Sequence, residues 1–194
     1  MADERTQRAT EGGVDTGVDA DEVRRVVEGV ADPELPPVTL GMLGMVHEVS
    51  VSGTGMVHVE LLPTYSGCPA TEMIERDVRA AVSALEAVTA VEVGFSFDPP
   101  WTPDRIDAEG RAALREYGIA PPGGPLVDAP RPGHDQRSLP LAVDAATSTS
   151  QPARPCPYCG SHDTEMDSPF GPTPCRDVRY CQACQQPFEA FRSA

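Results

Sequence analysis

Four of the six cysteines in this 194-residue chain form two Cys-x-x-Cys pairs, Cys156/Cys159 and Cys181/Cys184. Two residues between thiolates let both sulfurs face one ion across a tight turn. Gly160, after the first pair, can take the left-handed conformation that aims backbone N–H groups at the sulfurs. The pairs stand 21 residues apart, near the usual spacing of four-cysteine zinc sites and enough for a hairpin between the knuckles. Four sulfur ligands with no open position make a structural site. Zinc is the expected ion; iron in the same tetrahedral cage stays open, because sulfur ligation alone does not separate the two. The surrounding segment has few large apolar side chains (Phe170, Val178, Tyr180, Phe188, Phe191). Metal binding is therefore expected to supply its folding free energy.

Cys175 lies six residues before Cys181. Two readings stand: a small buried apolar side chain, or an accessory thiol near the ribbon metal, able to exchange or to hold a transient ligand. His162 has a surface or outer role when four cysteines already fill the shell. Cys68 sits in Pro63-Thr64-Tyr65-Ser66-Gly67-Cys68-Pro69, a turn-forming loop that feeds a helix. With Pro69 as first helical residue, Cys68 is expected at the N-cap, where the helix dipole and free N–H groups lower a thiol's pKa. A reactive or metal-ligating thiol and a buried packing cysteine are both open. His47 and His58 lie on strands as surface or rim residues. The chain has no Ser-His-Asp order, phosphate-binding glycine loop or His-Glu-x-x-His, so a thiol enzyme built on Cys68 would have to find its base in His47 or His58.

The elements that must position these groups follow from periodicity. Val23, Val26, Val27 and Val30 fall at helical spacing, Asp19 or Asp21 can cap the start, and Asp32-Pro33 is expected to end the helix. Met45–Ser52 and Met56–Leu62 alternate as strands around the short loop Gly53-Thr54-Gly55. The strongest helix begins at Pro69, with Met73, Ile74, Val78, Ala81, Val82 and Leu85 along its stripe. Ala90–Phe97 alternates as a third strand, with Val91, Val93, Phe95 and Phe97 on one face. A last helical stretch runs from about Pro103 to Tyr117, with Gly118 as its stop. The order predicts a small αββαβα sandwich, with a mainly three-stranded sheet and one parallel crossover beside the hairpin. A flexible linker joins it to a four-cysteine zinc ribbon. The expected division is a disordered arm at 1–18, an α/β domain at 19–119, a Pro-rich linker at 120–153 and the ribbon at 154–194. The linker holds one short apolar patch, Leu139–Val143.

Composition excludes several functions. The chain has 30 acidic and 15 basic residues, for a net charge of −15, and every basic residue is Arg. Such a field repels phosphate backbones and anionic lipid; neither nucleic acid nor a membrane is an expected partner. No apolar run reaches the ~20 residues of a membrane span, and residues 1–20 lack a signal-peptide core. A cytoplasmic protein is expected, consistent with cysteines spaced for metal rather than for disulfides.

Asp32-Pro33-Glu34-Leu35, Leu40–Val46 (LGMLGMV) and Pro63–Ala70 (PTYSGCPA) resemble the small domain of SufT-type iron–sulfur cluster assembly factors. Trp101-Thr102-Pro103-Asp104, Glu109-Gly110 and Tyr117–Pro122 narrow the resemblance. So do Ser168–Cys175 (SPFGPTPC) before the second knuckle and Gln186-Pro187-Phe188 after it. Together they resemble the PaaD family (also called PaaJ), the D component of the bacterial ring-1,2-phenylacetyl-CoA epoxidase system. The resemblance spans about residues 20–122 and 154–192. It implies an accessory role in aerobic phenylacetate breakdown, beside a di-iron oxygenase and an iron–sulfur flavin reductase, with no catalysis of its own. A protein of this kind would assist assembly or insertion of a metal centre, with the reductase's iron–sulfur cluster as the foremost candidate. On this resemblance Cys68 is the functional cysteine that holds iron or a cluster transiently, Asp32, Pro33 and Glu34 are the acidic signature, and Cys156, Cys159, Cys181 and Cys184 are the ribbon ligands. Cys175 matches an extra cysteine of the family. The chain departs from the pattern in its longer, more proline-rich linker. It also closes with Phe191-Arg192-Ser193-Ala194, where such proteins often carry a further cysteine. The alternative is a non-catalytic structural component of the oxygenase complex.

Overall fold

The structure is a computed structural model and describes residues 17–122 and 154–192. Most of the expected arm, most of the expected linker and the Leu139–Val143 patch lie outside the described residues. Within the arm, Val18 is described and packs partly against the core.

Helix α1 (Ala20–Glu28) starts where Asp19 accepts the Asp21 N–H at 3.0 Å. Val23 and Val27, one turn apart, are fully buried. The helix stops at Gly29, short of the expected end at Asp32-Pro33, because the Gly29 N–H closes back on the Arg25 carbonyl. The chain then makes a small ladder unseen in the periodicity, β1 (Ala31–Asp32) against β2 (Leu35–Thr39). The Asp32 carboxylate draws its turn tight by accepting the N–H groups of Glu34 (2.8 Å) and Leu35 (3.1 Å).

Strands β3 (Val46–Val51) and β4 (Met56–Leu61) form the expected antiparallel hairpin. On β4 the alternation is strict: Val57, Val59 and Leu61 are buried between exposed or half-buried neighbours. Helix α2 (Thr71–Ser83) buries Ile74, Val78 and Val82 at four-residue spacing and returns the chain to β5 (Ala90–Phe95), which pairs parallel with β4. The strand ends at Phe95, so Phe97 is mostly exposed. A 3₁₀ turn (Pro103–Arg105) and helix α3 (Ala108–Glu116) replace the single expected helix; Asp107 caps α3 by accepting the Gly110 N–H at 2.6 Å.

Gly118, at φ +86°, reverses the chain into β6 (Ile119–Ala120). The described chain resumes at Arg154 and forms β7 (Thr164–Ser168), β8 (Arg176–Cys181) and β9 (Gln186–Phe191). These make one sheet in the order β6-β9-β8-β7, with β6 parallel to β9. Ala120, expected to open the linker, is instead a fully buried strand residue of the ribbon's sheet. The Phe191 side chain, at the end of β9, is buried in the main apolar core with Trp101 and Ile119. The ribbon is thus seated on the α/β unit by a shared strand and a shared core.

Candidate metal and thiol sites

At one end of the β-ribbon the Sγ atoms of Cys156, Cys159, Cys181 and Cys184 all lie within 4.8 Å of one another. Cys156 and Cys184 are 3.7 Å apart, and Cys159 and Cys181 are 3.6 Å apart. Four sulfurs at Zn–S distances of about 2.3 Å in a tetrahedron lie about 3.8 Å from each other, so the donor set fits a tetrahedral thiophilic ion. Both knuckles turn through left-handed residues. Gly160 does so at φ +74°, and its N–H bonds the Cys156 carbonyl; Gln185 does so at φ +57°, and its N–H bonds the Cys181 carbonyl. Crowding spreads the thiol pKa values. The Cys184 N–H helps bring Cys181 down to about 7, while desolvation pushes Cys184 up to about 12. A bound cation removes this conflict, since coordinated thiols ionise outright. Beneath the cage lies a small cluster of Ala120, Phe188 and Ala190, too small to hold the ribbon unaided.

Cys175 does not join this cage. It immediately precedes β8, and Cys181 ends β8. Six extended residues span about 20 Å, which puts the two cysteines at opposite ends of the strand. The expectation of a spare thiol beside the ribbon metal is corrected accordingly. The Cys175 sulfur instead lies 3.8 Å from Oε2 of Glu34 and 3.1 Å from the Thr173 hydroxyl.

Cys68 sits between β4 and α2. Its N–H bonds the Tyr65 carbonyl, closing a turn through Ser66-Gly67, and its own carbonyl accepts from the Thr71 hydroxyl. That turn delays the regular helix to Thr71 and makes Ala70 the N-cap, so Cys68 does not occupy the expected cap. Cys68 as a residue is half-buried. Desolvation raises its pKa; the Ala70 N–H pulls it down, as a helix start should, but the charges of Glu34, Cys175 and Asp32 push it further up. In the metal-free chain the expected lowering is therefore overturned by burial and by surrounding acids.

The charges of Asp32 and Glu34, which share one turn, and of Cys175 bear on the Cys68 thiol, and Cys175 itself meets Glu34; the four ribbon cysteines are the group of donor atoms among the described residues that lie close enough to share one ion. Asp32 is buried, and desolvation raises its pKa against its two backbone N–H bonds. Arg176 bears on Asp32 and Cys175, and its guanidinium also holds Glu189 (2.7 Å) and Thr173 (2.8 Å). The described histidines stand elsewhere: His47 lies 3.9 Å from Glu60, His58 lies 3.7 Å from Glu92, and His162 is exposed. Sequence reasoning did not anticipate Thr173 or Arg176 as neighbours of the acidic turn. The only local signal was their closeness to Cys175.

A small α/β unit with a cysteine loop and an acidic turn, carrying a four-sulfur β-ribbon, is the layout that two family comparisons match. The iron–sulfur cluster assembly protein family matches residues 20–93, and the PaaD zinc beta ribbon domain matches residues 141–192. The chain belongs to the PaaD family. It is 36 % identical over 171 residues to an Escherichia coli protein named as the putative D component of 1,2-phenylacetyl-CoA epoxidase, covering 88 % of this chain and 91 % of that one. The α/β unit alone is similar to the Fe-S protein maturation auxiliary factor of Porphyromonas gingivalis, at 33 % identity over 48 % of this chain and 89 % of that protein. It is also similar to the Fe-S protein maturation auxiliary factor SufT of Staphylococcus aureus, at 32 % identity over 44 % of this chain and 96 % of that protein. Among the described residues no helix is long and apolar enough to cross a membrane.

Proposed function

We propose that this chain assists iron–sulfur cluster assembly or insertion for the phenylacetyl-CoA epoxidase system of aerobic phenylacetate catabolism. It works in the cytoplasm and is not itself a catalyst. Cys68 holds iron or a cluster transiently and passes it to the iron–sulfur reductase. Zinc in the ribbon is structural. The observation that carries this reading is the half-buried Cys68 in the loop that enters α2, with the charges of Asp32 and Glu34 bearing on its thiol. A cysteine that is only half-buried suits a cargo that must leave as well as arrive, because a client thiolate needs room to displace it. The acidic neighbours disfavour a bare thiolate and favour one that is sharing a cation.

The test is the iron content of reductase from cells carrying Cys68→Ala in place of the parent chain. Under-loaded reductase is expected, with the variant still folded. Fully loaded reductase, together with stable co-purification of the variant with the oxygenase, would overturn the proposal in favour of a structural component.

A further inference from the structure

Helix α3 turns Gly110 and Leu114 into the fold and leaves a second stripe facing outward. Glu109, Ala112, Ala113 and Glu116 fall at i, i+3, i+4 and i+7 and so share one face. Pro37 of β2, Met42 and Tyr117 complete the lining of a groove of about 460 Å³ along that stripe. A space of this size takes several side chains. Its walls are fixed. The Met42 carbonyl accepts the Asp107 N–H at 3.1 Å, and a Cβ at Gly110 would stand 2.7 Å from that same oxygen. The start of α3 is therefore pressed backbone to backbone against the Met42 loop. Tyr117 keeps half of its surface exposed at the far end of the helix.

The groove is apolar in its middle and anionic at both ends. Seven helical residues separate Glu109 from Glu116, about 10 Å along the axis. Among the described residues neither carboxylate has a hydrogen bond or an ion pair, and no cation lines the groove. Arg111, on the same helix, commits its guanidinium to the carbonyls of Pro103, Ile106 and Pro122. Two unneutralised carboxylates at a fixed spacing, with small side chains between them, describe the complement they would accept: two cations at that spacing, with apolar side chains between. A second copy of this chain is a poor occupant, since each copy carries a net charge of −15.

We propose that the α3 groove docks a basic amphipathic helix of a partner protein, one with Arg or Lys at i and i+7 to meet Glu109 and Glu116 and apolar side chains at i+3 and i+4 to lie over Ala112 and Ala113. The two alanines let the partner helix come close, and helices that lie in grooves are read at this same i, i+3, i+4, i+7 spacing. Met42, Pro37 and Tyr117 supply the desolvated centre of the contact, and the two glutamates set its register. The inference goes beyond the Cys68 reading and does not depend on it: the groove shares no residue with the cysteine loop or the cage.

The experiment uses the full chain with its ribbon saturated by zinc. The probe is a short dye-labelled, alanine-based helical peptide with Arg at i and i+7 and Leu at i+3 and i+4, followed by fluorescence anisotropy. The parent is expected to bind it. Glu109→Gln with Glu116→Gln should weaken binding at least threefold. Glu109→Arg with Glu116→Arg should weaken it at least tenfold and should bind instead a peptide with Glu at i and i+7. Tyr117→Ser should weaken binding without changing its salt dependence. Glu48→Arg with Glu86→Arg alters the net charge equally but lies outside the groove, and should leave the affinity within about twofold. Unchanged thermal midpoints and zinc content confirm that the variants fold. A parent that does not bind the peptide overturns the proposal. So does an equal loss in the Glu48→Arg, Glu86→Arg chain, which would mean attraction by net charge alone. Equal affinity for a peptide with Gln at i and i+7 would refute the charge match. A parent that sediments as a dimer broken by Tyr117→Ser would give the groove to a second copy and overturn it as well.

Discussion

The indole of Trp101 and the ring of Phe191 meet with centroids 5.9 Å apart and planes tilted by 44°. One comes from the α/β unit and the other from the last strand of the ribbon. The Trp101 N–H is bonded to the Leu43 carbonyl at 2.7 Å, which anchors the indole to the LGMLGMV loop. This contact holds the ribbon, and with it Cys175, in register with the acidic turn.

Phe191→Ala is expected to destabilise the protein by about 3–5 kcal/mol, the usual range for a large aromatic removed from a core. Cys175 should also become more accessible to thiol reagents, because the Arg192 N–H that holds its carbonyl follows Phe191 directly. Urea unfolding and thiol labelling followed by mass spectrometry read the two effects. An unchanged labelling rate would show that Cys175 is held without this contact.

Gly110→Ala tests a close approach in α3. A helix interior ordinarily gains about 1 kcal/mol from such a change. Here the new Cβ would stand 2.7 Å from the Met42 carbonyl oxygen, a backbone atom with little freedom to withdraw. Overpacking of this kind costs about 1–3 kcal/mol, so net destabilisation is expected. A raised thermal midpoint would show that the Met42 loop yields.

Removing the ribbon metal with a chelator is expected to unfold β7–β9 and to change the fluorescence of Trp101, the single tryptophan. Its ring partner Phe191 and the adjoining strand β6 both depend on the ribbon's sheet. Re-addition of zinc should restore the signal, and Cys181→Ser should abolish the response. A metal-free chain with unaltered tryptophan emission would mean that the junction survives without the cage.

Thiol reactivity has a defined pH direction in the metal-free chain. Cys68 is held above the ordinary thiol range by desolvation and by its acidic neighbours. Its thiolate fraction at neutral pH is therefore small and grows only as pH rises through that raised value. Glu34→Gln removes one of the charges that push upward, so alkylation at Cys68 near neutral pH should speed up. A Cys68 alkylation profile lying below that of a free thiol would contradict the assigned environment.

Asp177 and Arg179 form a buried pair in β8, joined at 2.9 Å with both side chains nearly inaccessible. Asp177→Ala removes the carboxylate and leaves a buried guanidinium without that charge, which in such settings costs about 3–5 kcal/mol. Loss of ribbon order should follow, seen as faster chelator extraction of its metal. Extraction at the parent's rate would show that β8 does not rely on the pair.

Much of this was legible in the residues. The four-cysteine cage follows from spacing, because two residues between thiolates permit one tight turn and little else. The β4 strand and α2 were legible because period-two and four-residue stripes each have one way to bury their apolar side. Helix starts were less so: Asp19 caps α1 as its type suggests, but the Tyr65–Cys68 turn delays α2 past Pro69.

What local pattern determined, then, is α1, the β3–β4 hairpin, α2, β5, the metal cage and the cysteine loop, since each depends on neighbours within a few residues. Tertiary structure alone decided that β6 lines up with β9, that Trp101 meets Phe191, and that Cys175 lies beside Glu34, 141 positions away in the chain. It also reversed the sense of the Cys68 shift. A thiol's ionisation answers to every charge and every lost water molecule around it, and those arrive from distant segments only when the two units pack.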